Sequence, residues 1–443
     1  MGVPDLTIAV EPVENGSVIY MPLAPKTADD QSAALLCLRL MITNNGNTSV
    51  HLNKVGLTFV PASAPLSDST SLDIAPHTTQ EWNFSTAEDV FLSSPAPEQI
   101  TIALTCDGFS SPIQVTLPLA AYQAPGGGYR FPTDPTLLVP GEFWNGSSGN
   151  HGEGAWGSQL FAYDFVVIAF DAQSNQWTPW LPGKNGDNNA DSRIWGKHIC
   201  AVADGIVREK IDGVPNNPHP LKWTSTADLN QQLAAQMALW GGFTNGGGGN
   251  HYYIQHGEEV VLYAHMQNGS LNPTLEMGST VEAGTFLGLA GNAGNSTGPH
   301  LHVHAIKGSQ PEVGPLRPLP FRDILAVDLS VLTPPYPSAP WATLEAQGPS
   351  HTNSAIWPSR RFPPQRLPIW EAAIDPLALI LSDNIYTLLT LPDPPPVQAF
   401  VKQMRQVVAS LSPAGRSSAL KRLNAFRGTY LEALDRVLTE EAR

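Results

Sequence analysis

Short apolar runs separated by polar turns dominate the first part of the chain, over residues 1–122. Segments such as HLNKVGLTFV, ITIALTC and IQVTLPL are rich in Val, Ile, Leu and Thr, and clusters of Asn, Gly, Pro and Ser divide them. This spacing predicts strands joined by tight turns, and we expect an immunoglobulin-like β-sandwich. The region holds His51 and His77 but no histidine cluster, so the expected role is a spacer or a binding module.

The pattern changes three times further along the chain. Residues 130–325 combine strand-like runs with long loops, and one helix is predicted for TADLNQQLAAQMALW, which the following glycines end. The segment NHYYIQHGEEVVLYAHMQNGSL predicts two strands with a turn at HGEE. Proline dominates residues 326–370, which predicts an extended linker. Residues 371–443 have apolar side chains at helical spacing and predict a helical C-terminal region. The expected fold is therefore mainly β, with a C-terminal α-helical segment.

Charge and composition narrow the class of protein. The 443 residues carry a formal net charge of −15, which disfavours nucleic acid as a partner because phosphate binding needs a basic face. No run approaches the roughly 18 apolar residues that a membrane-spanning helix needs, and the start of the chain lacks the pattern of a secretion signal. The three cysteines are far apart in sequence, and Cys37 and Cys106 are either a disulfide between strands or buried free thiols.

Three histidines alternate with apolar residues in the segment GPHLHVH, at positions 298–304. A strand turns successive side chains to opposite faces, so His300, His302 and His304 are predicted to share one face. Earlier, the apolar run FAYDFVVIAF contains Asp164, a carboxylate that needs a metal or an imidazole as partner if it is buried. Imidazole nitrogens and carboxylate oxygens are zinc ligands, so the sequence supplies the donor set of a zinc site.

Two longer segments carry a resemblance to a known family. HGEEVVLYAHMQNGSL, followed by VEAGTFLGLAGNAGNSTGPHLHVHA, resembles the core of the lysostaphin-like zinc endopeptidases, which cut peptide cross-links of bacterial cell walls. In that family a glycine-rich run ends in an HxH pair, a YxH histidine lies upstream, and an HxxxD motif begins the domain. The resemblance implies a β-rich peptidase domain over residues 130–325.

The resemblance also implies a role for individual residues. His302, second in HxH, would bind zinc, and Asp164 would be the carboxylate ligand. His300, first in HxH, and His265 of the YAHM segment would flank the open coordination position. They would act as acid, base or hydrogen-bond donor toward a zinc-activated water attacking an amide carbonyl. His304 has no family role and is expected to be an outer partner of the site or a residue of its rim.

The chain departs from the family at the first ligand. The histidine of HxxxD would lie four residues before Asp164, where this chain has Leu160, which cannot bind zinc. His151, thirteen residues before Asp164, is the first candidate replacement, and His198 and His256 are further candidates with less support. Otherwise the third protein ligand is absent.

Two functions follow from these observations. The first is a zinc metalloendopeptidase that hydrolyses peptide bonds, with peptidoglycan cross-links or a similar peptide as substrate. The second is a catalytically degenerate member, a peptidase-like fold kept as a binding or regulatory module. The clustered imidazoles favour the enzyme, and Leu160 favours the degenerate module. The family implies an extracellular or periplasmic location, although the chain starts without a signal peptide.

Overall fold

A computed structural model describes most of the N-terminal and central regions of the protein. The described residues are 5–23, 32–61, 65–83, 90–93, 95–133, 138, 142–146, 159–171, 174–311, 314–329, 342–348 and 354–358. They are mainly β, which confirms the predicted fold class at this level. The predicted helical region 371–443 and the candidate ligand His151 lie outside the described residues.

The N-terminal region folds into two sheets that share one core. Its strands are β1 (Leu6–Glu11), β2 (Val13–Glu14), β3 (Ser17–Pro22), β4 (Ser32–Leu36), β5 (Arg39–Asn44), β6 (Val50–Val60), β7 (Leu66–Ile74), β8 (Thr79–Asn83), β9 (Val90–Ser93), β10 (Gln99–Cys106) and β11 (Ile113–Ala121). One sheet has the order β1-β5-β8, and the other has the order β7-β6-β10-β11-β3-β4-β9 with β2 beside β3. Side chains of β10 point alternately into the core and away from it, and the inward-facing Ile100, Ile102 and Leu104 are fully buried. The immunoglobulin-like topology stays a prediction.

The central region is built on a large sheet with one α-helix beside it. Its elements are β12 (Glu142–Gly146), β13 (Tyr163–Asp171), β14 (Gln176–Thr178), β15 (His198–Cys200), β16 (Gly205–Ile211), α1 (Thr226–Trp240), β17 (Asn250–His256), β18 (Glu259–Met266), β19 (Thr280–Val281), β20 (Phe286–Leu289), β21 (Leu301–Lys307), β22 (Leu316–Arg317), β23 (Phe321–Asp328), β24 (Ala342–Gln347) and β25 (Ser354–Pro358). The sheet order is β19-β16-β17-β18-β21-β13-β12-β25-β23-β24. The predicted helix, the hairpin at HGEE and the strand carrying HLHVH are all confirmed.

Two strands lie inside the segment that the sequence analysis predicts to be a linker. β24 and β25 fall within residues 326–370 and extend the sheet through antiparallel pairing with β23. ATLEAQ pairs with the preceding strand β23, and SAIWP pairs with β23 and with the distant strand β12, which proline content does not reveal. The domain boundaries stay predictions. In the part of the chain that the structure describes, no helix has the length and apolar character needed to cross a membrane.

A continuous core joins the N-terminal strands to the central sheet. Met21 and Leu35 pack in the same apolar cluster as Tyr163 and Phe165, and the hydroxyl of Tyr163 lies 3.3 Å from the sulfur of Met21. The three cysteines are buried and form no disulfide, which excludes the bridge between Cys37 and Cys106.

A buried carboxylate ties the two regions together as well. Glu259, at the start of β18, accepts hydrogen bonds from the hydroxyls of Tyr122 and Tyr129. The guanidinium of Arg317 lies 3.8 Å from the same carboxylate, and both side chains are almost fully buried. Burial raises the pKa of Glu259, and the two hydroxyls and Arg317 oppose that effect.

Candidate active site

Strand pairing brings Asp164 and His302 together although 138 residues separate them in sequence. β13 and β21 are antiparallel, and Asp164 is directly opposite His302 in their register. Tyr163 and Phe165 pack into the core from one face of β13, so Asp164 projects from the other face. Its Oδ1 lies 3.0 Å from Nδ1 of His302. The predicted meeting of these two side chains is therefore present in the structure.

His300 approaches the same carboxylate oxygen from the end of the glycine-rich run. Its Nε2 lies 3.3 Å from Oδ1 of Asp164. Its Nδ1 donates to the carbonyl of Gly298 at 2.8 Å, and the hydroxyl of Ser296 lies 3.2 Å from the same nitrogen. These contacts fix the ring, so that Nε2 points at Asp164.

His265 reaches this group through an unusual backbone conformation. The next residue back, Ala264, is opposite His302 in the register, so regular alternation would turn His265 to the other face. Instead His265 has φ 65°, a region that residues other than glycine seldom adopt and that is often found at functional sites. Its ring centroid lies 4.6 Å from that of His300 and 5.9 Å from that of His302. Its Nδ1 donates to the carbonyl of Ala293 at 2.8 Å.

His304 extends the cluster from the next outward-facing position of β21. Its Nδ1 lies 2.9 Å from Nε2 of His302, and the two rings meet edge to face. His304 thus contacts His302 on the side away from Asp164. Its role as an outer partner of the site stays a prediction.

Burial and neighbouring charge shift the pKa values of the two flanking histidines, His265 and His300, in opposite directions. Burial lowers the pKa of His265 well below its ordinary value, and the charges of His300 and His302 act in the same direction. Burial also lowers the pKa of His300, but the negative charge of Asp164 and the contact with it outweigh burial and raise that pKa. The cluster therefore contains one imidazole held neutral and one that binds a proton more readily, a pairing suited to acid and base roles.

The structure describes the family's first ligand position, Leu160, and two of its candidate replacements, His198 and His256. Leu160 is buried, and its carbonyl accepts a hydrogen bond from the thiol of Cys37 at 3.0 Å. His256 is held away from the cluster, because its ring nitrogens contact the carbonyl of Asp204 and the hydroxyl of Tyr263. His198 packs edge to face against Phe286. Among the described residues, no group of three or more His, Cys, Asp or Glu side chains is arranged to hold a metal ion.

A buried network of amide side chains supports the glycine-rich run, and the sequence analysis missed it. Nδ2 of Asn217 contacts the carbonyls of Gly294 and Ser296 at 3.0 and 3.3 Å and Oδ1 of Asn292 at 3.3 Å. Asn292 in turn donates to Oδ1 of Asn189 at 2.8 Å. Three distant segments are thus linked beneath the run that positions His300 and His265. Asn217 lies in a proline-rich loop without periodicity, so its sequence does not indicate a buried contact. The asparagines of NAGNSTG are the part of the network that lies inside a recognisable motif.

The family comparison matches this part of the chain. Residues 236–313 match the model of peptidase family M23. These residues contain His265, His300, His302 and His304. The resemblance to the lysostaphin-like peptidases is confirmed for this segment. The M23 segment thus supplies every histidine of the cluster, and Asp164 comes from outside it.

Solved structures similar to parts of the chain include several peptidases. The catalytic domain of lysostaphin from Staphylococcus simulans is 20% identical over 38% of this chain and 84% of that one, with a TM-score of 0.22. A mutant catalytic domain of the prophage-encoded M23 protein EnpA from Enterococcus faecalis is 19% identical over 40% and 88%, also with a TM-score of 0.22. A zinc-containing peptidase from Vibrio cholerae is 12% identical over 50% and 82%, with a TM-score of 0.17. At these TM-scores the likeness supports no further argument. No curated protein matches the chain.

Proposed function

We propose that the protein is a zinc-dependent endopeptidase that hydrolyses peptide cross-links of peptidoglycan. The observation that supports it best is the convergence of His265, His300, His302 and Asp164 at the paired strands β13 and β21. The M23 segment supports the peptidase class, and the proposal extends that class to zinc and to a cell-wall substrate. Such a substrate implies work outside the cytoplasm.

The described residues fit two of the three protein ligands of a catalytic zinc site. Zinc ligands at bond lengths of about 2.0–2.2 Å in a tetrahedron are roughly 3.3–3.5 Å apart, and Oδ1 of Asp164 and Nδ1 of His302 are 3.0 Å apart. A small outward movement of either side chain would admit a cation between them. Leu160 cannot be the third ligand, so we propose His151 for that role. Twelve residues separate His151 from Asp164 in the sequence.

His304 suits the protonation state that metal binding demands of His302. Once Nδ1 of His302 is a ligand, its remaining proton is on Nε2, and Nδ1 of His304 lies 2.9 Å away to accept it. Such an outer partner fixes the tautomer and the orientation of a ligating histidine.

The flanking imidazoles supply the proton transfers of the proposed reaction. When bound, zinc would polarise the substrate carbonyl and increase the acidity of water. His265 donates Nδ1–H to Ala293, which makes its Nε2 the basic nitrogen and leaves the neutral ring able to accept a proton. His300 holds a proton more readily and can deliver it to the departing amine or donate a hydrogen bond to the oxyanion.

One observation favours the second function, a degenerate binding or regulatory module. Leu160 is the residue where the family pattern has a histidine, and its hydrocarbon side chain is buried in the apolar core. Without a third ligand, Asp164 and His302 would hold zinc weakly. The two functions differ in metal content and in turnover.

The test measures both quantities on purified protein. Metal analysis should give close to one equivalent of zinc, and His151→Ala and His302→Ala should each lower it to less than about a tenth. Protein that contains zinc should release new amino groups from cross-linked wall fragments. His300→Ala should retain zinc and lose this activity. The exposed His77 provides the control, since His77→Ala should change neither quantity. Wild-type protein that binds wall fragments without cutting them, at full zinc occupancy, would support the degenerate module instead.

A further inference from the structure

The segment that contains α1 is attached at both ends to the glycine-rich run beside the candidate site. Before the helix, the amide of Leu221 donates to the carbonyl of Thr297 at 2.7 Å. After the helix, the amide of Asn295 donates to the carbonyl of Gly247 at 2.8 Å. The same run anchors Nδ1 of His265 and of His300. The segment therefore forms part of the immediate surroundings of the histidine cluster.

α1 is packed weakly against the body of the protein. No apolar side chain between Thr226 and Trp240 is fully buried, and Met237 is 55% exposed. The helix is followed by Gly241 and Gly242, and Gly249 at the end of the loop has φ 64°. A helix with so little buried apolar surface and glycine-rich flanks has a low free-energy cost of local displacement.

The one buried side chain of α1 is polar and has no hydrogen-bond partner. Gln236 is 5% exposed, and both its Nε2 and its Oε1 are buried without a partner among the described residues. One turn later, Nε1 of Trp240 is buried and without a partner in the same part of the chain. A buried polar group left without a partner destabilises the folded state, because it has lost its hydrogen bonds to water. The neighbouring Gln232 differs, since its Nε2 donates to Asp228 and to the carbonyl of Lys222 at 2.9 Å.

These orphan groups match the chemistry of a peptide group. Gln236 offers one donor and one acceptor, and Trp240, four residues later on the same helix face, offers a second donor. A secondary amide presents the complementary acceptor and donor. Residues 226–249 contain one charged side chain, Asp228, and it is engaged by Gln232 and by the amide of Thr224. The segment therefore suits an uncharged ligand.

We propose that Gln236 and Trp240 form a subsite for a backbone amide of the peptide substrate, which enters when α1 shifts outward. The shift is required because the polar atoms are buried in this structure. The weak packing of the helix permits it. The subsite deepens the proposed peptidase function, on which it rests.

The test uses the full chain and N-acetyl-tetraglycine amide, an uncharged peptide made of amide groups. Binding is measured by calorimetry with a chelator present, so that turnover does not consume the peptide. Gln236→Met keeps the length of the side chain and removes its donor and acceptor. It should weaken binding about tenfold, since the hydrogen bonds that Gln236 makes to the peptide are lost. The exposed Gln231 on the opposite face gives the matched control, and Gln231→Met should leave binding unchanged.

Two further measurements keep the inference testable if a variant behaves unexpectedly. The indole N–H resonance of Trp240, assigned through Trp240→Phe, should move when the peptide is added to wild-type protein. The unfolding temperature of Gln236→Met should equal or exceed that of the wild type, because no partner is lost. Absence of binding, an unmoved Trp240 resonance, or equal affinities of both Gln variants would overturn the subsite. Peptide bound with the expected dependence but never cut, in the presence of zinc, would overturn the peptidase and leave the subsite standing.

Discussion

At the scale of single residues, the site depends on two donor atoms that strand register places face to face. Oδ1 of Asp164 is close to both His302 and His300, so this one oxygen orients two imidazoles. A substitution that keeps the shape of Asp164 but removes its charge would weaken the proposed binding of zinc. It would also remove the negative charge that raises the pKa of His300. The carboxylate is therefore the most sensitive position of the cluster.

Asp164→Asn is expected to lower zinc content to less than about a tenth of an equivalent and kcat/KM by at least about a hundredfold. A neutral amide is a poor zinc ligand, and it no longer favours the protonated form of His300. Metal analysis and peptide hydrolysis check this expectation. Asp171→Asn, on the same strand, should leave both quantities near wild type. Full zinc occupancy in Asp164→Asn would remove Asp164 from the ligand set.

Burial of His256 predicts a loss of stability in acid. Burial lowers the pKa of His256 to about 4, while the unfolded chain has an ordinary value near 6.5. Between these two values the unfolded state binds a proton that the folded state excludes, so the free energy of unfolding falls as pH decreases from 6.5 to 4. The contribution of this one group is roughly 3 kcal/mol at about 1.4 kcal/mol per pKa unit.

Urea unfolding at several pH values measures this effect. His256→Gln should flatten the stability profile between pH 6.5 and 4 relative to wild type. His77→Gln, at an exposed position, should leave the profile as it is. Parallel wild-type and His256→Gln profiles over this range would contradict the assignment.

At the scale of elements, the glycine-rich run depends on amide groups beneath it. Gly294 has φ 81°, and a Cβ atom there would lie 2.3 Å from the amide nitrogen of Gly249, so the two backbones can approach only without a side chain. Asn217 then holds the run from below through two carbonyls and Asn292. The positions of His300 and His265 thus depend on a residue that touches neither ring.

Asn217→Ala is expected to lower the free energy of unfolding by about 2–3 kcal/mol, because buried carbonyls lose their donor. Urea unfolding monitored by tryptophan fluorescence measures the change. The exposed Asn230 of α1 is the matched control, and Asn230→Ala should change stability by less than about 0.5 kcal/mol. Equal stabilities of the two variants would show that the network contributes nothing.

Sequence periodicity predicted those elements whose pattern is local. The hairpin β17–β18, the helix α1 and the outward face of β21 follow from alternation, capping and glycine positions over short stretches. The positive φ of His265, the Asn217 network and the pairing of β25 with β12 depend on partners far away in the chain. No local pattern carries that information. The resemblance found the M23 segment, while the role of His151 stays a prediction.

At the scale of the whole molecule, the N-terminal sheets and the central sheet behave as one packed unit at their junction. Met21 and Leu35 share a core with Tyr163, and Glu259 is held by tyrosines at and after the end of β11. Cys37 donates to the carbonyl of Leu160, four residues before the candidate ligand Asp164. The N-terminal region therefore supports the loop that leads into the site.

Glu259→Ala is expected to lower the free energy of unfolding by about 3–5 kcal/mol, because the buried Arg317 loses its carboxylate and two hydroxyls lose their acceptor. The adjacent Glu258 is exposed and makes only a 3.8 Å contact with Lys307, so Glu258→Ala should cost less than about 1 kcal/mol. Calorimetry on both variants gives the comparison. A Glu259→Ala protein as stable as Glu258→Ala would show that the junction does not depend on this carboxylate.

The distance in sequence between Asp164 and His302 has a consequence for biosynthesis. The strand with the carboxylate leaves the ribosome while the strand with the histidines is still 138 residues from being made. Long-range pairing of this kind closes late in folding. A nascent or truncated chain thus has no assembled site, and the earliest moment at which the protein can act is set by the order in which its segments are translated.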